Sequence, residues 1–238
     1  MKIRAILFDA METVVEIAPL PSLDDRARWT YERCEEARAT WRSLDDFCRS
    51  FREARSRFDD RVRTYREFSS AELARAVAAS RLNHLPAEEV GTLASCIDRS
   101  YEAGYYSHCF VSPDTRAALL RAQKALPIGI VSNQIIHGGL QRFLIAEGLH
   151  GFFSSVVTSV DCGWRKPAPQ IYSIARQKIG FPFEDIALIG DDYQVDYLKP
   201  RELGMYAVLV DRHSNPRTDG VLTAGSIVEA VDHALRFA

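Results

Sequence analysis

The sequence predicts an α/β fold in which a parallel sheet is covered by helices and an all-helical unit is inserted after the first strand. Two observations predict it. After Ser112-Pro113, short apolar runs alternate with stretches of helical length, the rhythm of a parallel sheet whose crossovers are helices. Between Pro21 and Arg66 the pattern differs: 12 Arg and 10 Asp or Glu are interleaved with apolar residues at three- and four-residue spacing. That is the period of amphipathic helices with charged outer faces.

The elements follow in order. Lys2 to Phe8 reads as a buried strand that stops at Asp9. Ser22 and Ser43 each precede two aspartates and suit the N-cap of a helix, where the acids favour the positive end of the helix dipole. Ser69 with Glu72 has the form of a capping box for a helix ending before Asn83. Pro86 opens a further helix reaching about Tyr105. Helix then alternates with strand: Asp114 to Leu126 and Ile128 to Val131, Gly138 to Glu147 and Ser155 to Thr158, Ala168 to Lys178 and Ile186 to Ile189. A helix near Val195 to Leu203, a strand from Tyr206 to Val210 and a helix from Gly225 to Leu235 complete the series, with a polar surface loop over Asp211 to Gly220.

Composition removes several classes of function. The chain has 238 residues, 47% hydrophobic and 26% charged, the balance of an ordinary globular protein large enough for one core with a satellite. Lys and Arg number 30 against 32 Asp and Glu, a formal net charge of -2. No basic excess calls for nucleic acid or an anionic membrane, and no apolar run approaches the ~20 residues of a membrane span. The apolar stretch before Asp9 is too short for a signal-peptide core. Five cysteines, an odd number without CxxC spacing, predict reduced thiols and a cytoplasmic location. Every basic residue from Ile3 to Gln123 is arginine.

Ligands of open parallel sheets sit beyond the C-terminal ends of the strands, so the residues there carry the functional reading. The first strand ends at Asp9, followed by Ala-Met-Glu-Thr, and the second at Ser132-Asn133. Trp164-Arg165-Lys166-Pro167 follows the third, and the fourth ends in Gly190-Asp191-Asp192, with Asp196 shortly after. A carboxylate nucleophile, a hydroxyl, a cation and an acidic cluster suit phosphoryl transfer assisted by a hard divalent cation.

These motifs, in this order, resemble the haloacid dehalogenase-like hydrolases over about Met1 to Arg212. The resemblance implies an α/β, Rossmann-like parallel sheet core, residues 1–18 and 107–238, with an inserted all-helical cap domain, residues 19–106. It implies Mg2+-dependent hydrolysis of a small phosphorylated metabolite through an aspartyl-phosphate intermediate. Asp9 is then the nucleophile and Lys166 the cation that orients it and offsets phosphoryl charge. Asp9, the backbone carbonyl of Met11 and Asp191 hold Mg2+, with Asp196 or Asp192 in support. Substrate binding falls to Ser132, the neighbouring Asn133 with its backbone amide, and Thr13, which also braces the turn after the nucleophile.

Met11 departs from the family pattern. It stands where phosphatases of the family carry a second aspartate, the general acid/base, whose contribution is typically ~10²–10⁴-fold in rate. Glu12 is the nearest replacement, although neighbours on an extended chain point opposite ways. A good leaving group, as in an aryl or acyl phosphate, needs no acid. The alternatives are a weak or silent protein binding phosphate and Mg2+ on the same scaffold, and, less favoured, a 2-haloacid dehalogenase. Three acidic residues without a cation speak against the dehalogenase. The phosphonate-cleaving branch needs a cap lysine that the sequence lacks. In the helical insert, Trp29, Trp41, Phe47, Phe51 and Phe58 read as core, and most arginines as a solvated face. Tyr101, Tyr105, Tyr106 and His108 are candidates for a cleft lining.

Overall fold

The computed structural model describes residues 2–82, 84, 86–212 and 220–238. The strands are β1 (Ala5–Phe8), β2 (Glu16–Ile17), β3 (Cys109–Phe110), β4 (Ile128–Ser132), β5 (Ser155–Thr158), β6 (Ile186–Gly190), β7 (Tyr206–Val210) and β8 (Thr223–Ala224). Six form one sheet in the order β5-β4-β1-β6-β7-β8, with every pairing parallel. Strand β1 is central, and all four of its side chains are buried, as a strand covered on both faces requires. The chain leaves β1 toward β4 on one side and β6 on the other, which opens a crevice at the carboxyl ends of the strands. Register decides what lines it. Phe8 pairs with Ile130 and with Ile189, so Asp9 is level with Val131 and Gly190, and Ser132 and Asp191 stand one residue beyond.

The chain divides into two compact units. One comprises Met1–Glu16, Phe110–Gln134 and Gln141–Ala238 and holds the parallel sheet; the other comprises Ile17–Cys109 with Ile135–Leu140. The second unit is helical: Leu23–Arg33, Glu35–Thr40, Leu44–Ser56, Asp59–Arg63, Ser70–Leu82 and Ala87–Tyr106. Its starts are locally encoded. Ser22 and Asp25 form a reciprocal capping box, Ser43 accepts from the Asp46 amide, and Ser69 and Glu72 exchange the same pair of bonds. Phe47 and Phe51 are fully buried beside Trp41, whose indole donates to Ser50 Oγ at 3.0 Å. Tyr101 and Tyr105 are buried in this helical core, and His108 stacks on Trp29 with ring centroids 3.7 Å apart.

Several elements differ from expectation. The first strand begins at Ala5 rather than Lys2. The helix expected near Val195 is a π-helical stretch, Tyr193–Leu198, that passes into an α-helical turn, Lys199–Glu202. Strands β2, β3 and β8 have two residues each, too few to show a period in sequence. Most of the loop expected over Asp211 to Gly220 lies outside the described residues. Among the described residues, no helix is long and apolar enough to cross a membrane.

Candidate active site

The strand-end residues converge. Lys166 Nζ donates to Asp9 Oδ1 at 2.7 Å and to Asp196 Oδ1 at 2.6 Å, and all three groups are buried. Asp9, Asp191 and Asp196 bring carboxylate oxygens within 4.8 Å of one another. The Asp9 amide donates to Ile189 O at 2.9 Å, which continues the β1–β6 ladder one residue into the site. The chain then turns sharply: the amides of Val14 and Val15 both donate to Ala10 O, at 2.8 and 2.7 Å. Glu12 takes the left-handed conformation, φ 59°, inside that turn, a rare state for a residue with a side chain. Met11 is half-buried beside it.

Thr13, fully buried, donates from Oγ1 to Asp191 Oδ1 at 3.1 Å. Its hydroxyl therefore orients the acidic residue of the fourth motif. Ser132 is buried at the end of β4. Beside it, the Asn133 side chain accepts from the Lys166 amide at 2.7 Å and donates to the Lys166 carbonyl at 3.1 Å. That amide is committed to holding the lysine's peptide, so a substrate contact from Asn133 falls to its backbone.

Gly190 explains how Asp196 reaches the site. A Cβ at Gly190 would lie 2.5 Å from Asp196 Cβ, so only glycine lets the aspartate pack against the end of β6. Asp196 is wholly buried and also accepts from the Asp192 amide at 3.2 Å. Asp192 caps the π-helical stretch, accepting from the amides of Gln194 and Val195 at 2.8 and 3.2 Å, whereas Asp196 turns inward to the lysine. π-Helical stretches of this kind often accompany functional sites.

Electrostatics follow from burial. Desolvation, followed by the nearby Asp9 charge, pushes the Asp191 carboxyl up to about 6, against the lowering effect of the Thr13 hydrogen bond. Complete burial also raises Asp196, against the opposing pull of Lys166. Burial of Lys166 favours the neutral amine, but the charges of Asp196 and Asp9 outweigh it and hold the ammonium more firmly than usual. With all three carboxylates ionised, one ammonium leaves two negative charges uncompensated. This donor set, all oxygen and all from carboxylates, fits a hard divalent cation.

Sequence reasoning missed three supports. Arg212, just beyond β7, donates to Thr13 O at 3.4 Å and pairs with Glu16 at 3.4 Å. Its position past a strand's carboxyl end was the available signal. Tyr172 donates to Val195 O and ties the helix Pro169–Ile179 to the π-helical stretch. Gln134 is buried, with its backbone held by Ser159, while its side-chain Nε2 has no hydrogen-bond partner. Nothing local in sequence marks the latter two.

The buried Lys–Asp pair thus stands at the carboxyl end of the central strand of a parallel sheet. A family model for haloacid dehalogenase-like hydrolases matches residues 3–199, and the chain belongs to that family. Haloacid dehalogenase-like hydrolase domain-containing protein 3 of Danio rerio is 35% identical over 104 residues, 44% of this chain and 42% of that protein. Glyceraldehyde 3-phosphate phosphatase of Methanothermobacter thermautotrophicus is 31% identical over 122 residues, 50% of this chain and 54% of that protein. The chain thus spans about half the length of the curated relatives it matches. Among solved structures, a 2-haloacid dehalogenase from Pseudomonas syringae superposes with a TM-score of 0.82 at 19% identity, covering 99% of this chain and 100% of that one. At that identity the likeness is one of fold.

Proposed function

We propose that this chain hydrolyses a small phosphate ester in a Mg2+-dependent reaction through an aspartyl phosphate on Asp9. The observation that supports it best is Lys166 Nζ lying between Asp9 and Asp196, 2.7 and 2.6 Å away, with Asp191 completing an acidic cluster. A dehalogenase, whose leaving halide needs no proton, fits the absence of an acid at Met11 but leaves that cluster without a purpose.

In this reading an Asp9 oxygen attacks phosphorus, and the bond to the leaving oxygen breaks with its electron pair. Lys166 holds the attacking carboxylate in place and offsets charge on the phosphoryl oxygens. The Ser132 hydroxyl and the adjoining Asn133 amide hold those oxygens. Water then attacks phosphorus, the bond to Asp9 breaks, and inorganic phosphate leaves with the carboxylate restored. Asp9, Asp191 and the Met11 carbonyl would hold Mg2+, with Asp196 in support, and the bound cation would neutralise charge on the transferring group. Met11 has no proton to give or take, so substrates with stable leaving anions react best. Residues 19–106 act as the cap that sets substrate choice. The phosphatase names among the relatives support the class of reaction.

Met11 also favours a second reading, a protein that binds phosphate and Mg2+ with little turnover. Release of inorganic phosphate from aryl and alkyl phosphates, with Mg2+ and with chelator, separates the two. The phosphatase reading expects Mg2+-dependent release, faster from aryl esters and lost in Asp9→Asn. No release from any ester, with phosphate and Mg2+ still bound, would favour the binding protein.

A further inference from the structure

In the proposed reaction the phosphoryl oxygens meet two groups at the end of β4, the Ser132 hydroxyl and the Asn133 amide. Among the described residues, neither group has a hydrogen-bond partner in the protein. The groups that flank them are committed. The Asn133 side chain is bonded through both its oxygen and its nitrogen to the Lys166 peptide. The Gln134 amide donates to Ser159 Oγ at 2.8 Å, and that hydroxyl donates in turn to Gln134 O at 3.1 Å. The Val160 amide also donates to Gln134 O, at 3.1 Å. Ser159 and Gln134 are both buried.

Register brings Ser159 to this place. Ser132 pairs with Thr158 across β4 and β5, so Ser159 stands level with Asn133, one residue past the last pair. There the ladder ends, and the outgoing N–H and C=O need other partners. A hydroxyl both donates and accepts, so one side chain meets both. The effect reaches the site through covalent geometry. The peptide between Asn133 and Gln134 is planar, so a held Gln134 N–H fixes the bond that leaves the Asn133 Cα toward Gln134. The clasp on Lys166 fixes the bond from the same carbon to Cβ. The nitrogen on that carbon then has one place left, and Ser132, the last residue of β4, holds its peptide plane from the other end.

We infer that Ser159 is a positioning residue for the phosphate-binding loop, setting the Asn133 amide for the phosphoryl oxygens without touching them. The inference rests on the reading in which Ser132 and Asn133 hold phosphate. A hydroxyl that only satisfied buried backbone groups would matter for stability alone. One that sets a donor in advance of the anion matters for anion affinity as well.

The test titrates inorganic phosphate into the full-length protein at saturating Mg2+ and follows the Asn133 amide resonance by NMR. Mg2+ affinity is measured separately without phosphate. A saturable shift of the Asn133 signal is expected in the wild type. Ser159→Ala should bind phosphate about tenfold more weakly, the size of one well-placed hydrogen bond, with Mg2+ affinity unchanged. Should Ser159→Ala not fold, Ser159→Cys takes its place; its weaker donor and acceptor should lower phosphate affinity about threefold or more. Undiminished phosphate affinity in the folded variant would overturn the inference. So would a parallel loss of Mg2+ affinity, the mark of a merely structural role. No phosphate shift in the wild type would overturn the phosphatase reading and this inference with it, so the two failures are distinguishable.

Discussion

Asn133 clasps the peptide of Lys166 from both sides, accepting from its N–H at 2.7 Å and donating to its carbonyl at 3.1 Å. The end of β4 thereby fixes a loop 33 residues further along the chain, and with it the ammonium that reaches Asp9. Asn133→Ala should remove both bonds at a cost of about 1–2 kcal/mol in stability. Turnover should fall by about tenfold or more even well below the melting temperature, because misplacing a reacting group by an ångström is costly. Thermal melts and phosphate release measured in parallel check both parts. Unchanged turnover would show that Lys166 is held without the clasp.

Gly190 provides the space for Asp196. A methyl group there would meet the aspartate at 2.5 Å, and overpacking of this kind costs about 1–3 kcal/mol. Gly190→Ala should also displace the Asp196 carboxylate from Lys166, so activity should fall further than the melting temperature alone explains. Chemical denaturation together with a Mg2+ titration checks this. A variant with wild-type stability and metal affinity would contradict the close packing.

Asp191 gives the metal-free protein a pH signature. Its carboxyl is raised from 3.8 to about 6, chiefly by burial and then by Asp9. A carboxyl raised on folding contributes stability that is complete below pH ~4 and is lost as pH rises through about 6. The loss from this group amounts to about 3 kcal/mol at most. In chelator, Asp191→Asn should therefore gain stability relative to wild type as pH rises from 4 to 7. Added Mg2+ should stabilise the wild type above pH ~6 and progressively less below it, as protons compete for the same oxygens. Melts across pH with and without Mg2+ test both trends. A Mg2+ effect equally large at pH ~4.5 would contradict them.

Legibility in sequence followed the range of the interaction. The caps at Ser22, Ser43 and Ser69 are local patterns, and the helices begin where those patterns lie. Asp9, Ser132 and Asp191 were visible as polar residues at or just past the ends of apolar strands, which parallel register brings to one edge, and Lys166 as a lysine in the segment after the third strand. Their support was not visible. Asn133 clasping Lys166, Thr13 reaching Asp191 and Tyr172 reaching Val195 are contacts between segments far apart in the chain. Asp192 and Asp196 were interchangeable by spacing. What separates them is the bare Gly190, which admits one side chain and leaves the other to cap a helix.

In the proposed reaction Asp9 carries a phosphoryl group while Met11 offers no base to remove it. Phosphorylation and hydrolysis are separate steps, and loss of general acid/base help slows such a step by ~10²–10⁴-fold. Intact-protein mass spectrometry after brief mixing with an aryl phosphate and Mg2+ tests this most directly. One added phosphoryl group is predicted, absent in Asp9→Asn and shorter-lived in Met11→Asp. Steady turnover without any adduct would contradict the role of Met11 and point to another base, with Glu12 the first to replace. Neither adduct nor turnover with any donor, and no rescue by Met11→Asp, would contradict the nucleophilic role of Asp9 itself.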